Sequence, residues 1–122
     1  MATLKSFEEL ECWKSSQDLL VLVYHVLSKE EVKREFSFQD QLKRATLSVS
    51  NNIAEGFDRK TPKERIRFLV YASGSLSEVK SMLYSGKRLG FIDDSEFEST
   101  FATCNKCHKQ LKAFMRYLGS LV

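Results

Sequence analysis

An all-α fold, an antiparallel up-down-up-down four-helix bundle, is predicted by three features of this 122-residue sequence. Apolar residues recur at three-and-four spacing through four long segments. Turn-formers are scarce, with one proline and five glycines, which favours a few long helices over many short strands. Two sharp helix-start signals, at Thr61 and Asp93, divide the second half of the chain into two rods. Short connections then close a single domain over residues 1–122, with helices expected at about 7–29, 37–57, 62–89 and 94–119.

In the first segment, Ser6-Phe7-Glu8-Glu9 has the form of a capping box, with Ser6 as N-cap and Glu9 returning a hydrogen bond. Leu10, Trp13, Leu20, Val21, Val23, Tyr24 and Leu27 then form a broad apolar face. The charge-dense stretch SKEEVKREF, apolar only at Val32 before Phe36, is a connection. The second helix is expected to start near Ser37, helped by Asp40 at the third position, and to run to about Phe57.

That second helix organises the prediction. Leu42, Ala45, Val49, Ile53 and Gly56 share one face, and Asn52 lies on it too. An unpaired buried amide costs on the order of 1–3 kcal/mol, so Asn52 needs partners. Ala45, Ser48, Ala54 and Gly56 make the surface slender, which suits a central helix packed close to its neighbours. Glu55 is placed to pair with Asn52 or with a base on another helix, and Gly56 suits a helix terminus.

Thr61-Pro62-Lys63-Glu64 supplies an N-cap threonine, proline at the first helical position and glutamate at the third. Ile66, Leu69, Val70, Leu76, Val79, Leu83, Tyr84 and Leu89 carry the third helix. A glycine inside a helix costs up to about 1 kcal/mol relative to alanine. The block Ala72-Ser73-Gly74-Ser75 is therefore expected to receive another backbone. Gly90 ends this helix, and Asp93 to Glu96 forms a capping box with Ile92 and Phe97 as a hydrophobic staple. Phe97, Phe101, Cys104, Leu111, Phe114, Met115 and Leu118 line the fourth helix.

Charge and motifs narrow the function classes. The net charge is +3, but residues 1–35 carry −2 and residues 36–122 carry +5. No apolar run approaches the roughly 20 residues that span a bilayer, and no export signal is visible. The odd cysteine set of Cys12, Cys104 and Cys107 then fits reduced thiols, and a cytoplasmic protein is expected. Cys104-Asn105-Lys106-Cys107-His108 matches the CxxCH pattern of c-type haem attachment, yet that attachment follows export and Cys104 lies on the apolar stripe. A haem, redox or zinc site built from Cys104, Cys107 and His108 therefore ranks last, and no cofactor is expected. His25 has no orienting carboxylate one turn before it. No phosphate-cradling loop and no serine–histidine arrangement are visible, so an enzyme is disfavoured.

Basic residues are the most suggestive feature. Five of the nine residues in RKTPKERIR are basic: Arg59, Lys60, Lys63, Arg65 and Arg67. Lys43 and Arg44 add to them, and Lys106, Lys109, Lys112 and Arg116 form a second stripe on the fourth helix. Solvated helix faces also look like this; a nucleic-acid contact, if made, is phosphate-led and salt-sensitive.

The segments FEELECW (7–13), QLKRA (41–45), NIAEG (52–56), RFL (67–69) with ASGSLSE (72–78), and LGFID (89–93) together resemble the small four-helix bundle proteins encoded in intervening sequences of bacterial 23S ribosomal RNA genes. The resemblance covers nearly the whole chain. Ser50 stands where that family usually has a proline. The chain also looks similar to the accessory protein of diversity-generating retroelements. These likenesses imply a closed ring, typically a homopentamer, with RNA or DNA as partner and no membrane association. A scaffold reading competes, in which the small-residue block Ala72–Ser75, Gly74 and Ser75 among it, and the second-helix face dock a protein such as a reverse transcriptase.

Overall fold

The structure, a computed structural model, describes residues 4–122; residues 1–3 of the expected domain lie outside the described residues. A 3-10 turn at Phe7–Glu9 precedes α1 (Glu11–Leu27), α2 (Phe36–Phe57), α3 (Pro62–Arg88) and α4 (Asp94–Gly119), and the described residues contain no strand. Each helix packs on its sequential neighbours and α4 returns to α1, giving the up-down-up-down four-helix arrangement. One end gathers the α1–α2 and α3–α4 connections; the other gathers the 3-10 turn, the α2–α3 turn and the end of α4.

The core is a column of aliphatic side chains from all four helices, among them Leu19, Val23, Leu42, Val49, Ile53, Leu69, Leu76, Leu83, Leu111 and Leu118, all essentially sealed from water. Fully burying one such side chain stabilises the fold by roughly 1.5–3 kcal/mol. The expected apolar faces are too wide in two places. On α1 the inward stripe is Cys12, Ser15, Ser16, Leu19, Val23, Val26 and Leu27, whereas Val21 is 69% exposed and Tyr24 is exposed too. On α3, Val70, Tyr84 and Leu89 face outward. A helix in a square bundle buries a single stripe, so apolar residues beyond it stay on the surface.

The helix ends sort into caps that form and caps that do not. Thr61 Oγ1 accepts from the Glu64 backbone N–H at 3.1 Å, with Pro62 at the first helical position. Asp93 and Glu96 form a complete capping box. The capping box expected at Ser6 is absent: Ser6 Oγ donates to Glu8 at 3.0 Å, and Glu9 accepts instead from the Lys5 N–H. Leu10 takes an extended backbone that buries its side chain, and α1 starts only after it. Tertiary burial overrides the local cap there. Likewise α2 begins at Phe36 after Glu35, with Ser37 already inside the helix and Asp40 paired with Arg44.

The α1–α2 connection is held from within. Val32, its one apolar residue, is fully buried, and Gln39 Nε2 donates to the carbonyls of Leu27 (2.5 Å) and Val32 (3.1 Å). Lys29 reaches Glu96 at 2.7 Å, tying the connection to the start of α4. At the end of α3, Gly90 (φ +80°) permits a Schellman closure, with the N–H groups of Phe91 and Gly90 bonded to Gly86 and Lys87 carbonyls.

Close packing falls on different glycines from the expected one. Gly74 is exposed, and a Cβ added there meets nothing within 4 Å, so no backbone approaches it. Of its neighbours, Ala72 sits in the core and Ser75 bonds Ser48. Gly56 is the site of close approach: an added Cβ would lie 3.1 Å from the Arg65 carbonyl oxygen and from Phe68 Cβ. It lies inside α2, whose C-cap is Asp58. Gly86 is tighter still, with Ile92 Cδ1 at 2.5 Å and Phe38 Cζ at 3.0 Å from an added Cβ.

Candidate nucleic-acid interface

The α2–α3 turn presents the first basic cluster. Its shape follows from Gly56, which lets the start of α3 press against α2, and from the Thr61–Pro62 cap. Within it, Arg59 pairs with Glu55 one helical turn earlier and lies over the Phe68 ring at 4.3 Å. Glu55 is thereby exposed and engaged with Arg59, rather than with Asn52 or another helix. Arg65 Nε donates to the Arg59 carbonyl at 2.8 Å, closing the turn. Arg67 Nε donates to the Tyr71 hydroxyl at 3.0 Å, which pushes its pKa up further.

Lys60 and Lys63 are exposed and have no carboxylate within ion-pair distance among the described residues. Arg59 and Arg65 shape the turn; Lys60, Lys63 and Arg67 project from it.

Lys43 and Arg44 do not join this cluster. Thirteen residues of helix separate Arg44 from Phe57 at the end of α2, about 20 Å at 1.5 Å per residue. Lys43 lies over the Tyr24 ring at 5.1 Å and Arg44 pairs with Asp40 at 3.6 Å. Lys106, Lys109, Lys112 and Arg116 are all exposed on α4 and unpaired by carboxylates among the described residues. The stripe runs toward the end that carries the α2–α3 turn, where Arg65, Phe57, Phe114 and Tyr117 line a shared cleft of about 280 Å³.

Asn52 is half-buried at the α2–α3 seam, not sealed in the core. Its amide donates to the Ser48 carbonyl at 2.9 Å and to Ser48 Oγ at 3.0 Å, and Ser48 Oγ bonds Ser75 Oγ at 2.8 Å. The fully buried polar pair is elsewhere: Ser16 and Ser50, 2.7 Å apart, with Gln17 Nε2 donating to Ser50 at 3.0 Å. Nothing in the sequence pointed to this pair, because no spacing rule links Ser16 to Ser50 across two helices.

The CxxCH segment resolves into core and seam. Cys104 and Cys107 are sealed from water, Cys107 Sγ donates to the Cys12 carbonyl at 3.4 Å, and burial pushes all three thiols up to about 12. Thioether formation and zinc binding both need thiolates within reach of the ligand, and these thiols are sealed in the core. No group of three His, Cys, Asp or Glu among the described residues is arranged to hold a metal.

His108 turns away from the cysteines, and here the fold makes a serine–histidine contact that the sequence did not show. Ser73 Oγ lies 2.8 Å from His108 Nε2, and Lys80 Nζ lies 3.0 Å from Nδ1. An ammonium only donates, so Nδ1 accepts and Nε2 carries the proton toward Ser73. That tautomer is the reverse of a nucleophile–base pair, and a cation stands where an orienting carboxylate would be. Burial, then Lys80 and Lys112, hold the ring below its ordinary pKa.

Fold and surface together define a small antiparallel helical bundle with cation-rich, carboxylate-poor flanks. The chain belongs to the 23S rRNA-intervening sequence protein family, whose pattern matches residues 8–113. A crystal structure of a protein of unknown function from the S23 ribosomal protein family of Bacteroides thetaiotaomicron is similar in fold, with a TM-score of 0.77 at 22% identity, covering 85% of this chain and 97% of that one. Among curated proteins none matches in sequence. No helix among the described residues is long and apolar enough to cross a membrane.

Proposed function

We propose that this chain is a non-enzymatic nucleic-acid-binding bundle, acting as a homo-oligomer on RNA. The observation that carries the reading is the set of exposed, uncompensated cations on two flanks: Lys60 and Lys63 at the α2–α3 turn, and Lys106, Lys109, Lys112 and Arg116 on α4. Cations without carboxylate partners keep their full attraction for phosphates, and each contact releases counterions. Family membership supports an association with ribosomal RNA intervening sequences. Self-assembly is favoured by apolar surface that one bundle leaves uncovered, including Phe36 (76% exposed), Leu89 (62%) and Val21. A ring repeats each modest site once per subunit, and avidity follows without new contacts.

The test titrates labelled structured RNA at several salt concentrations, with light scattering coupled to size exclusion on the same preparation. Binding that weakens linearly in log salt supports the proposal; no binding at low salt overturns it.

A further inference from the structure

We propose that the outer face of the α3–α4 pair holds a single-stranded stretch of nucleic acid, its bases against the Tyr84–Phe97–Phe101 cluster and its phosphates on Lys80 and Lys112; this rests on the nucleic-acid reading above and places its contact on a surface other than the α2–α3 turn. Phe97 and Phe101 lie nearly parallel at 5.1 Å, and Tyr84, 54% exposed, meets them at 5.1 and 5.3 Å. Phe97 and Phe101 pack against the core with one side half-covered, and exposed Tyr84 extends them into an aromatic ledge on the outside of the helix pair.

Cations border that ledge. Lys87 Nζ lies 4.7 Å from the Phe97 centroid and Lys80 Nζ 5.9 Å from that of Phe101. One turn below, Lys80 reaches His108, and Lys112 approaches the same ring from α4.

Two properties favour a nucleic-acid single strand over other occupants. Of the lysines, only Lys87 has a carboxylate nearby, Asp94 at 3.6 Å in an exposed pair; Lys80 and Lys112 have none among the described residues. An anionic partner is therefore favoured over a neutral one. Next, exposed or half-exposed rings bordered by cations offer aromatic surface on which unpaired bases can stack, and stacking of that kind tolerates any sequence. A duplex hides its base faces and would gain only from the lysines. From Phe97 to Lys112 the strip measures about 22 Å along α4.

The test uses the full chain and an oligouridylate of about 12 nucleotides, within the range that single-strand sites cover, beside a hairpin RNA. Tyr84→Ala is expected to weaken oligouridylate binding about tenfold, in line with the loss of one stacked base, while Tyr84→Phe restores it. Lys80→Ala with Lys112→Ala is expected to lower the salt slope by about two. Photocross-linking of the unsubstituted protein to bromouridine-labelled strand, mapped by mass spectrometry, is expected to mark the peptides of Tyr84 and Phe101. If the unsubstituted protein binds the oligonucleotide but Tyr84→Ala binds it equally well and cross-links fall within 59–67, the α3–α4 site is overturned and the nucleic-acid reading stands. If Tyr84→Ala alters only the oligomer size, the ledge is a contact between copies and the proposal is overturned. Absence of binding to both RNAs at low salt removes the reading beneath it.

Discussion

Cys12, Cys104 and Cys107 show how far one residue's environment sets its chemistry. Their thiols, pushed up to about 12 chiefly by burial, hold almost no thiolate at neutral pH. Ellman's reagent is therefore expected to find no reactive thiol in the native protein and all three in urea; rapid native labelling would contradict their burial. His108 gives a second prediction. Desolvation and then Lys80 and Lys112 lower its pKa from the ordinary 6.5, so the unfolded chain binds more protons just below that value. The stability it contributes is complete above pH 6.5 and declines as pH falls through the folded pKa. Urea midpoints between about pH 7.5 and 5.5 should record the decline, and His108→Gln should flatten it. The sequence placed Cys104 correctly on the inward stripe but could not see Ser73 and Lys80 closing on His108, because those partners lie on another helix.

At the scale of elements, the clearest test contrasts two glycines of α3. Gly86→Ala drives a methyl against Ile92 and Phe38 and should destabilise the bundle by about 1–3 kcal/mol, as overpacking does. Gly74→Ala meets open space on an exposed helical position and should stabilise it by up to about 1 kcal/mol. Denaturant melts of the two variants should move in opposite directions. The sequence marked Gly74 because a block of small residues surrounds it, whereas Gly86 carried no such flag: its neighbour Ile92 arrives from beyond the Gly90 turn. Caps tell the same story. Thr61 and Asp93 were legible because cap and partner are three residues apart. At Ser6 the local pattern lost to the burial of Leu10, a tertiary effect with no local signature.

For the whole molecule, periodicity was enough to give four rods and their antiparallel order, since connections this short admit few other arrangements. The surface was less legible. Lys43 and Arg44 share a sequence neighbourhood with no cation cluster in space, while the α3–α4 seam joins residues some thirty positions apart. If the α2–α3 turn contributes to phosphate binding, Lys60→Ala with Lys63→Ala should reduce the log-log salt slope for structured RNA by about two without moving the urea midpoint, because neither lysine has a carboxylate partner among the described residues.

The two ends of the bundle are also built to different standards. One is laced by Gln39, by the Lys29–Glu96 bridge and by the Gly90 closure. At the other, the α2–α3 turn is closed by Thr61 and Arg65, but the 3-10 turn and the start of α1 have no side-chain cap. Unravelling therefore has a preferred starting point, and amide deuteration should advance from the uncapped start of α1 toward the laced pole. A ligand seated at the looser pole would slow its own host's breathing, so occupancy could be read from protection alone.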